Sequence, residues 1–226
     1  MKSVLNQKVL IVFAVLFLSL LPVSGGGIYE KTESQVVLPS VEIIEYKGEK
    51  LSSITDLHES AIKGTQHIDR ESYRLEITGL VDNPVSYTYE EVLNFKPCKK
   101  VVTLHCVEGW SVSLLWEGVL LREVLEKTEP RPDATVVIFH AHDGYTTSLS
   151  LDYIREKNIL MAYKMNGVTL PPEKGFPFQL VAENKWGYKW IKWITKIELS
   201  DNENFRGYWE KKGYSQNGDQ EAPVFE

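Results

Sequence analysis

Residues 104–126 of this 226-residue chain read LHCVEGWSVSLLWEGVLLREVLE. An apolar run of strand character ends at Cys106, and Val107-Glu108-Gly109-Trp110-Ser111 follows. A thiol at a strand exit beside a glycine turn stands where a scaffold presents functional groups. Spacing alone leaves two readings of Cys106, a metal-bound thiolate or a thiol packed in the core. The second cysteine, Cys98, does not pair with it if the strand is extended. At roughly 3.3 Å per residue the two lie ~20 Å apart or more, whereas a disulfide tolerates about 7 Å between Cα atoms. His105 is adjacent, but neighbours on a strand face opposite sides, so it does not serve Cys106 as a base. Beyond Trp116, leucines and a valine at helical spacing predict a helix over 119–127.

Working outward, the composition bounds the answer. Hydrophobic residues make up 43% and charged residues 25%, as in ordinary globular chains rather than disordered or multi-span membrane ones. A net charge of −6 argues against a dedicated nucleic-acid binder. Two cysteines build no disulfide framework, and no CxxC, HExxH, CxxCH, Walker A or G-x-S-x-G is present. Six Trp and 11 Tyr point to a rigid, aromatic-rich core or cleft. At the N-terminus, Lys2 and Lys8 precede 13 residues, 9–21, that are apolar except for Ser19, and the small-residue run PVSGGG follows. This is the layout of a secretory signal, and the apolar run is short for a spanning helix. It is read as a signal peptide over 1–27 with Val23 and Gly25 at the −3 and −1 positions, or as an uncleaved anchor. Either reading puts the body outside the cytoplasm, periplasmic or extracytoplasmic.

After a loose leader over 28–40, β-branched and aromatic runs predict strands at 41–46, 73–77, 101–106, 135–140, 145–149, 178–182 and 193–199. Thr88-Tyr89-Glu90-Glu91 opens a short helix through Phe95 with a capping box. Ser150 caps another over 151–156. Asn166-Gly167 predicts a hairpin turn, and Pro171-Pro172 an extended loop after it. The polar tail from Asn217 is expected to fray. The whole reads as one α+β domain dominated by β structure.

Two further stretches carry chemistry. NKWGYKWIKW, residues 184–193, is either a strand with aromatic core residues and solvated lysines or an anion-binding loop. In the second reading the lysines supply charge and backbone amides near Gly187 approach a phosphate. Lys174 and Gly175 would add to the same pocket. HAHDGY, residues 140–145, is either a plain hairpin turn or a cleft lip carrying Tyr145 or His142.

Taken together these segments resemble the sulfite-oxidase-fold family of mononuclear molybdenum enzymes, over roughly residues 73–214. The CVEGWS segment with its following Trp is similar to the metal-cysteine segment of the periplasmic methionine-sulfoxide reductase branch. GYKWIKWITKIEL, followed by FRGYWEKKGYS, resembles the family's pterin-binding loop and closing segment, and NGVTLPPEKGFPFQLV its N-G-x-x-L-P stretch. The resemblance implies a β-rich sulfite-oxidase-type fold over 28–216, with 217–226 as a flexible tail. It implies molybdenum held by a single molybdopterin, with Cys106 as the metal's thiolate ligand; soft thiolate suits a metal already in a dithiolene. Trp190, Ile191 and Lys192 match the positions that hold the pterin phosphate. Lys189 matches a cationic position beside the metal that holds an anionic or polar substrate. Lys174 falls where reductase-type members have Asn, and Gln179 where they have a contacting Arg, which is a departure. The loop Thr65-Gln66-His67 matches the segment that wraps the pterin, and Tyr145 would face the metal.

The activity so implied is two-electron oxygen-atom transfer with a small-molecule oxo donor or acceptor. Reduction of an S-oxide or N-oxide fits CVEGWS better than sulfite oxidation, which stays open as an alternative. The chain is too short for the haem or dimerisation domains of larger members. Electrons would therefore pass to or from a separate partner, such as a membrane haem protein. A cofactor-free extracytoplasmic binding domain on the same scaffold is the rival from another class.

Overall fold

The structure is a computed structural model and describes residues 41–226. The expected signal or anchor over 1–27 and the leader over 28–40 lie outside them. Among the described residues no helix is long and apolar enough to cross a membrane.

Two sheets form. The first is antiparallel throughout: β5 (Pro97–His105) pairs with β6 (Ser111–Leu120), and β6 with β9 (Leu160–Met165). The short β10 (Val168–Thr169) and β11 (Gln179–Val181) share the other edge of β9. The second sheet runs β4 (Val85–Tyr87), β3 (Leu75–Gly79), β12 (Ile194–Ser200), β7 (Val136–Ala141), β8 (Thr146–Ser150). Only β3 and β12 run parallel, with Ile77 opposite Ile197. A small hairpin, β1 (Glu45–Tyr46) and β2 (Glu49–Lys50), precedes both sheets.

Local chemistry accounts for the short helices. In α1 (Tyr89–Leu93) the Thr88 side chain accepts from the Glu91 amide while Glu91 accepts from the Thr88 amide, the reciprocal box expected from the sequence. Ser150 caps α3 (Leu151–Lys157), and Asn158 ends it in the left-handed region at φ 52°. The helix predicted at 119 begins two residues later, as α2 (Leu121–Glu126), because Val119 and Leu120 still belong to β6. That ten-residue strand was not foreseen. Three successive buried residues, Leu114, Leu115 and Trp116, put apolar side chains on both faces and break its alternation. The strand expected at 41–46 shrinks to two residues; before it the Ile43 amide donates to the Asn166 carbonyl at 2.8 Å and Ile44 O accepts from the Leu51 amide at 2.9 Å, single bonds that do not extend into a ladder.

Asn166-Gly167 makes the predicted turn between β9 and β10, both residues at positive φ. The wholly buried Asn166 also ties distant parts of the chain. Its Oδ1 accepts from the Leu115 amide at 2.9 Å, and its Nδ2 donates to Glu42 at 2.7 Å and to the Ser52 carbonyl at 2.9 Å. One continuous apolar cluster joins the two sheets. Within it Trp116 of β6 donates its indole N–H to the Val102 carbonyl at 3.2 Å. Its ring packs 5.7 Å from Trp190, so the core supports the loop that follows β11.

Residues 217–226, expected to fray, fold back over that loop. The Trp186 amide donates to Gly218 O at 2.8 Å, Lys185 pairs with Asp219, and the Ser215 amide donates to Val224 O at 2.8 Å.

Candidate functional site

β5 stops at His105, and the chain turns tightly through Cys106–Trp110. The Cys106 amide donates to the Trp110 carbonyl at 2.9 Å, and Gly109 takes φ 92° within the turn. Cys106 is thus presented, half-buried, at the wall of a cleft of about 220 Å³ and is not a core thiol. Both cysteines are free, as the extended strand between them requires. Burial pushes the Cys106 thiol up and the nearby Glu108 carboxylate adds to this, against lowering contacts from the Glu108 and Val107 backbone. Glu108 accepts from Trp110 Nε1 at 3.2 Å and lies 3.8 Å from the thiol. The His58 ring packs on Trp110 at 4.9 Å between centroids. His105 does not line the cleft; its backbone bridges to Trp186 instead.

Across the cleft stand two ammonium groups. Lys174 ends a 3-10 turn, is buried, and donates to the Leu57 carbonyl. Lys192 donates to the Glu173 carbonyl at 3.0 Å and lies 4.2 Å over the Trp193 ring. Burial lowers Lys192 to about 8, opposed by Glu59 and reinforced by Lys174. Two neighbouring ammonium groups that rest on carbonyls alone form a site for an anion. Trp193 makes the arrangement feasible. It sits in the left-handed region at φ 54°, rare for a bulky residue, held by burial and by its indole N–H on the Pro172 carbonyl at 2.7 Å. The side-chain carbonyl of Gln179, buried at the same cleft, has no hydrogen-bond donor.

The predicted site residues therefore divide. Cys106, Tyr145, Lys174, Trp190, Ile191 and Lys192 all line one cleft. Lys189, expected beside the metal as a substrate-holding cation, does not. Its ammonium is wholly buried and pairs with Glu210 at 2.7 Å, because the turn Gly187–Lys189 points it inward against the closing segment. Gln66 and His67 also miss the cleft: Gln66 Oε1 accepts from His142 Nδ1 at 2.9 Å, and His67 is exposed. The part of that loop that reaches the cleft lies earlier, at Leu57–Ile62. Tyr145 lines the cleft with its ring but donates its hydroxyl to the Tyr188 carbonyl. Trp209 and Tyr214 of the closing segment complete an aromatic wall, their rings 5.1 Å apart. The His58–Trp110 stack and this wall are long-range contacts that no local pattern announces.

The residues suit a molybdenum-bearing pterin. A soft sulfur donor faces the cleft, paired ammonium groups stand ready for a phosphate, and the orphaned Gln179 carbonyl is matched to an N–H donor such as a pterin carries. Comparison with known proteins agrees. Residues 62–209 match the oxidoreductase molybdopterin binding domain. The uncharacterized oxidoreductase YuiH of Bacillus subtilis is 38% identical over 152 residues, 67% of this chain and 76% of that protein. A putative protein-methionine-sulfoxide reductase subunit, YedZ1, of Azospira oryzae is 36% identical over 66% of this chain and 57% of its own. The protein-methionine-sulfoxide reductase catalytic subunit MsrP of Gluconobacter oxydans is 35% identical over 58% of this chain and 48% of its own. The chain thus spans about half the length of these last two relatives. Among solved structures, the sulfane dehydrogenase SoxCD of Paracoccus pantotrophus superposes with a TM-score of 0.63 at 21% identity, over 69% of this chain and 44% of that one. That likeness supports the fold alone.

Proposed function

The chain belongs to the oxidoreductase molybdopterin binding domain family, and from that premise we propose that it is a molybdenum oxidoreductase that reduces an S-oxide or N-oxide. The observation that carries the proposal is the shared cleft of Cys106 with Lys174 and Lys192. Cys106 would hold the metal, and Lys192 and Lys174 the pterin phosphate. When bound, the cofactor supplies the two-electron, oxygen-atom chemistry.

The protein's own part is positional. The turn through Gly109 fixes the thiol, and the Glu108–Trp110 hydrogen bond sets one wall upright beside it. Trp190, Tyr188, Trp209 and Tyr214 exclude water around the reacting centre, which strengthens the electrostatics within. The overall step balances as S-oxide plus two electrons and two protons giving sulfide and water. The protons come from solvent at the cleft mouth, and the electrons from a partner protein. The names of two relatives, a reductase subunit and a catalytic subunit, support both the S-oxide substrate and the separate partner. The signal-like N-terminus supports export, and a membrane haem protein is the partner class we favour.

The test is expression in a molybdopterin-making host, elemental mass spectrometry, and parallel assays of sulfoxide reduction and sulfite oxidation. About one molybdenum per chain with sulfoxide reduction is the expected result. A folded protein without metal or pterin refutes the cofactor. A loaded protein that only oxidises sulfite refutes the direction.

A further inference from the structure

The Lys189–Glu210 pair is sealed from solvent on both sides. Glu210 Oε1 accepts from Lys189 Nζ at 2.7 Å and from Thr147 Oγ1 at 2.7 Å, and Lys189 also donates to the Gln216 carbonyl at 2.8 Å. Two glycines seat it. A Cβ at Gly207 would stand 2.6 Å from Glu210 Oε2, and one at Gly218 would stand 2.6 Å from Lys189 Cγ. Joining two segments does not require charge: apolar side chains of similar volume do it as well or better. A buried ion pair does what an apolar pair cannot, in that it fixes the local potential.

That potential reaches the cleft. Burial first and the Glu210 charge second push the Tyr145 hydroxyl well above its ordinary value, and the same two causes raise Tyr188. Both rings line the cleft. Lys189 neighbours Tyr188 in the chain, with its ammonium 6.0 Å from that ring, so its positive charge acts on the same wall and Glu210 offsets it. Among the described lining residues the lysines are Lys174 and Lys192, both assigned above to the cofactor phosphate, while Glu108 stands beside Cys106.

We propose that Glu210 is a specificity-determining residue: by neutralising Lys189 inside the cleft wall it keeps the substrate subsite free of positive charge, and so selects uncharged oxo-substrates over oxyanions such as sulfite and sulfate. The inference rests on the function proposed above. Glu210 acts through Lys189 and touches no substrate. It is the first residue after the segment that matches the family.

The test compares molybdenum-loaded wild type, E210Q, K189M and the double variant K189M/E210Q at pH 6 and constant ionic strength. Sodium sulfate is titrated twice, as an inhibitor of the reduction of an uncharged sulfoxide and by the fluorescence of the cleft tryptophans. E210Q should bind sulfate about tenfold tighter than wild type. K189M should bind it more weakly, and the double variant should return to wild type. The KM for the uncharged sulfoxide should stay within about threefold throughout. A merely structural pair would instead lower kcat and metal content in every variant, with no opposite signs in sulfate binding. Unchanged sulfate affinity in E210Q, or shifts of one sign in both single variants, overturns the proposal. If E210Q does not accumulate, the wild type decides: micromolar inhibition by sulfate with the pair intact overturns it, and inhibition only at tens of millimolar upholds it. A loaded wild type that reduces no sulfoxide refutes the function, while the fluorescence titration still decides the ion pair.

Discussion

Replacing Lys192 with methionine should stabilise the cofactor-free protein while it abolishes cofactor retention. The amine falls from the ordinary lysine value of 10.5 to about 8. At about 1.4 kcal/mol per tenfold change, the protonated group is ~3 kcal/mol worse off in the fold than in the unfolded chain. Because the folded value lies below the unfolded one, this penalty is complete below about pH 8 and disappears above 10.5. Methionine removes it and gives up the hydrogen bond to Glu173 O and the contact over Trp193. The hydrogen bond, donated by a charged group, is worth about 1.5 kcal/mol, and the contact over Trp193 about 0.5 kcal/mol. The net gain of ~1 kcal/mol at pH 7 corresponds to a few degrees in Tm for a domain of this size. Retention moves the other way. An ammonium–phosphate pair at contact in an effective dielectric of about 20 is worth ~4 kcal/mol, so affinity should fall about a thousandfold. The assays are thermal melts of cofactor-free wild type and K192M at pH 7 and pH 11, and molybdenum content of both proteins from the same host. A K192M protein that keeps one molybdenum per chain, or that melts lower than wild type at pH 7, refutes the reasoning.

Other outcomes follow from the same geometry. Cys106→Ser should end turnover and lose molybdenum, yet melt within about 2 °C of wild type, since the thiol is half-buried and its hydrogen bond among the described residues, to Glu108 at 3.8 Å, is long. Sulfate should protect the cofactor-free protein from thermal unfolding, and the protection should fade as pH rises through about 8, where Lys192 loses its proton; constant protection to pH 10 would place the anion elsewhere. Asn166→Ala should cost ~2–4 kcal/mol in urea denaturation, because the buried Leu115 amide loses its side-chain acceptor, and the Ser52 carbonyl and the Glu42 carboxylate each lose a donor.

Much of the fold was legible because its signals are local. The Thr88 capping box, the Asn166-Gly167 turn and the Ser150 cap each follow from residues within a few positions of one another. β6 was not legible: apolar side chains on both faces at Leu114, Leu115 and Trp116 break the alternation that marks a strand. At the site, the residues that the family resemblance singled out at Cys106, Lys174 and Trp190–Lys192 line one cleft. The resemblance misplaced Lys189, because what turns that side chain inward is Glu210, 21 residues away, reached through a buried pair that spacing cannot show. It set Gln66 and His67 at the cleft when Leu57 and His58 reach it, since Lys174 draws that loop in by the Leu57 carbonyl.

The parallel pairing of β3 with β12 has a consequence for how the molecule is made. Leu75–Gly79 must wait for Ile194–Ser200 before the second sheet closes, and the 114 residues 80–193, half of the sequence, separate them. Cys106 likewise leaves the ribosome long before the Gly187–Lys192 turn that faces it, and the Gly218–Asp219 clasp on Trp186 and Lys185 comes later still. Topology of this kind folds slowly, and the cleft is complete only once residues 186–219 are in place. Loading of the proposed cofactor would therefore follow synthesis of the whole cleft. A pool of completed, empty protein should precede the active one in a pulse-chase experiment.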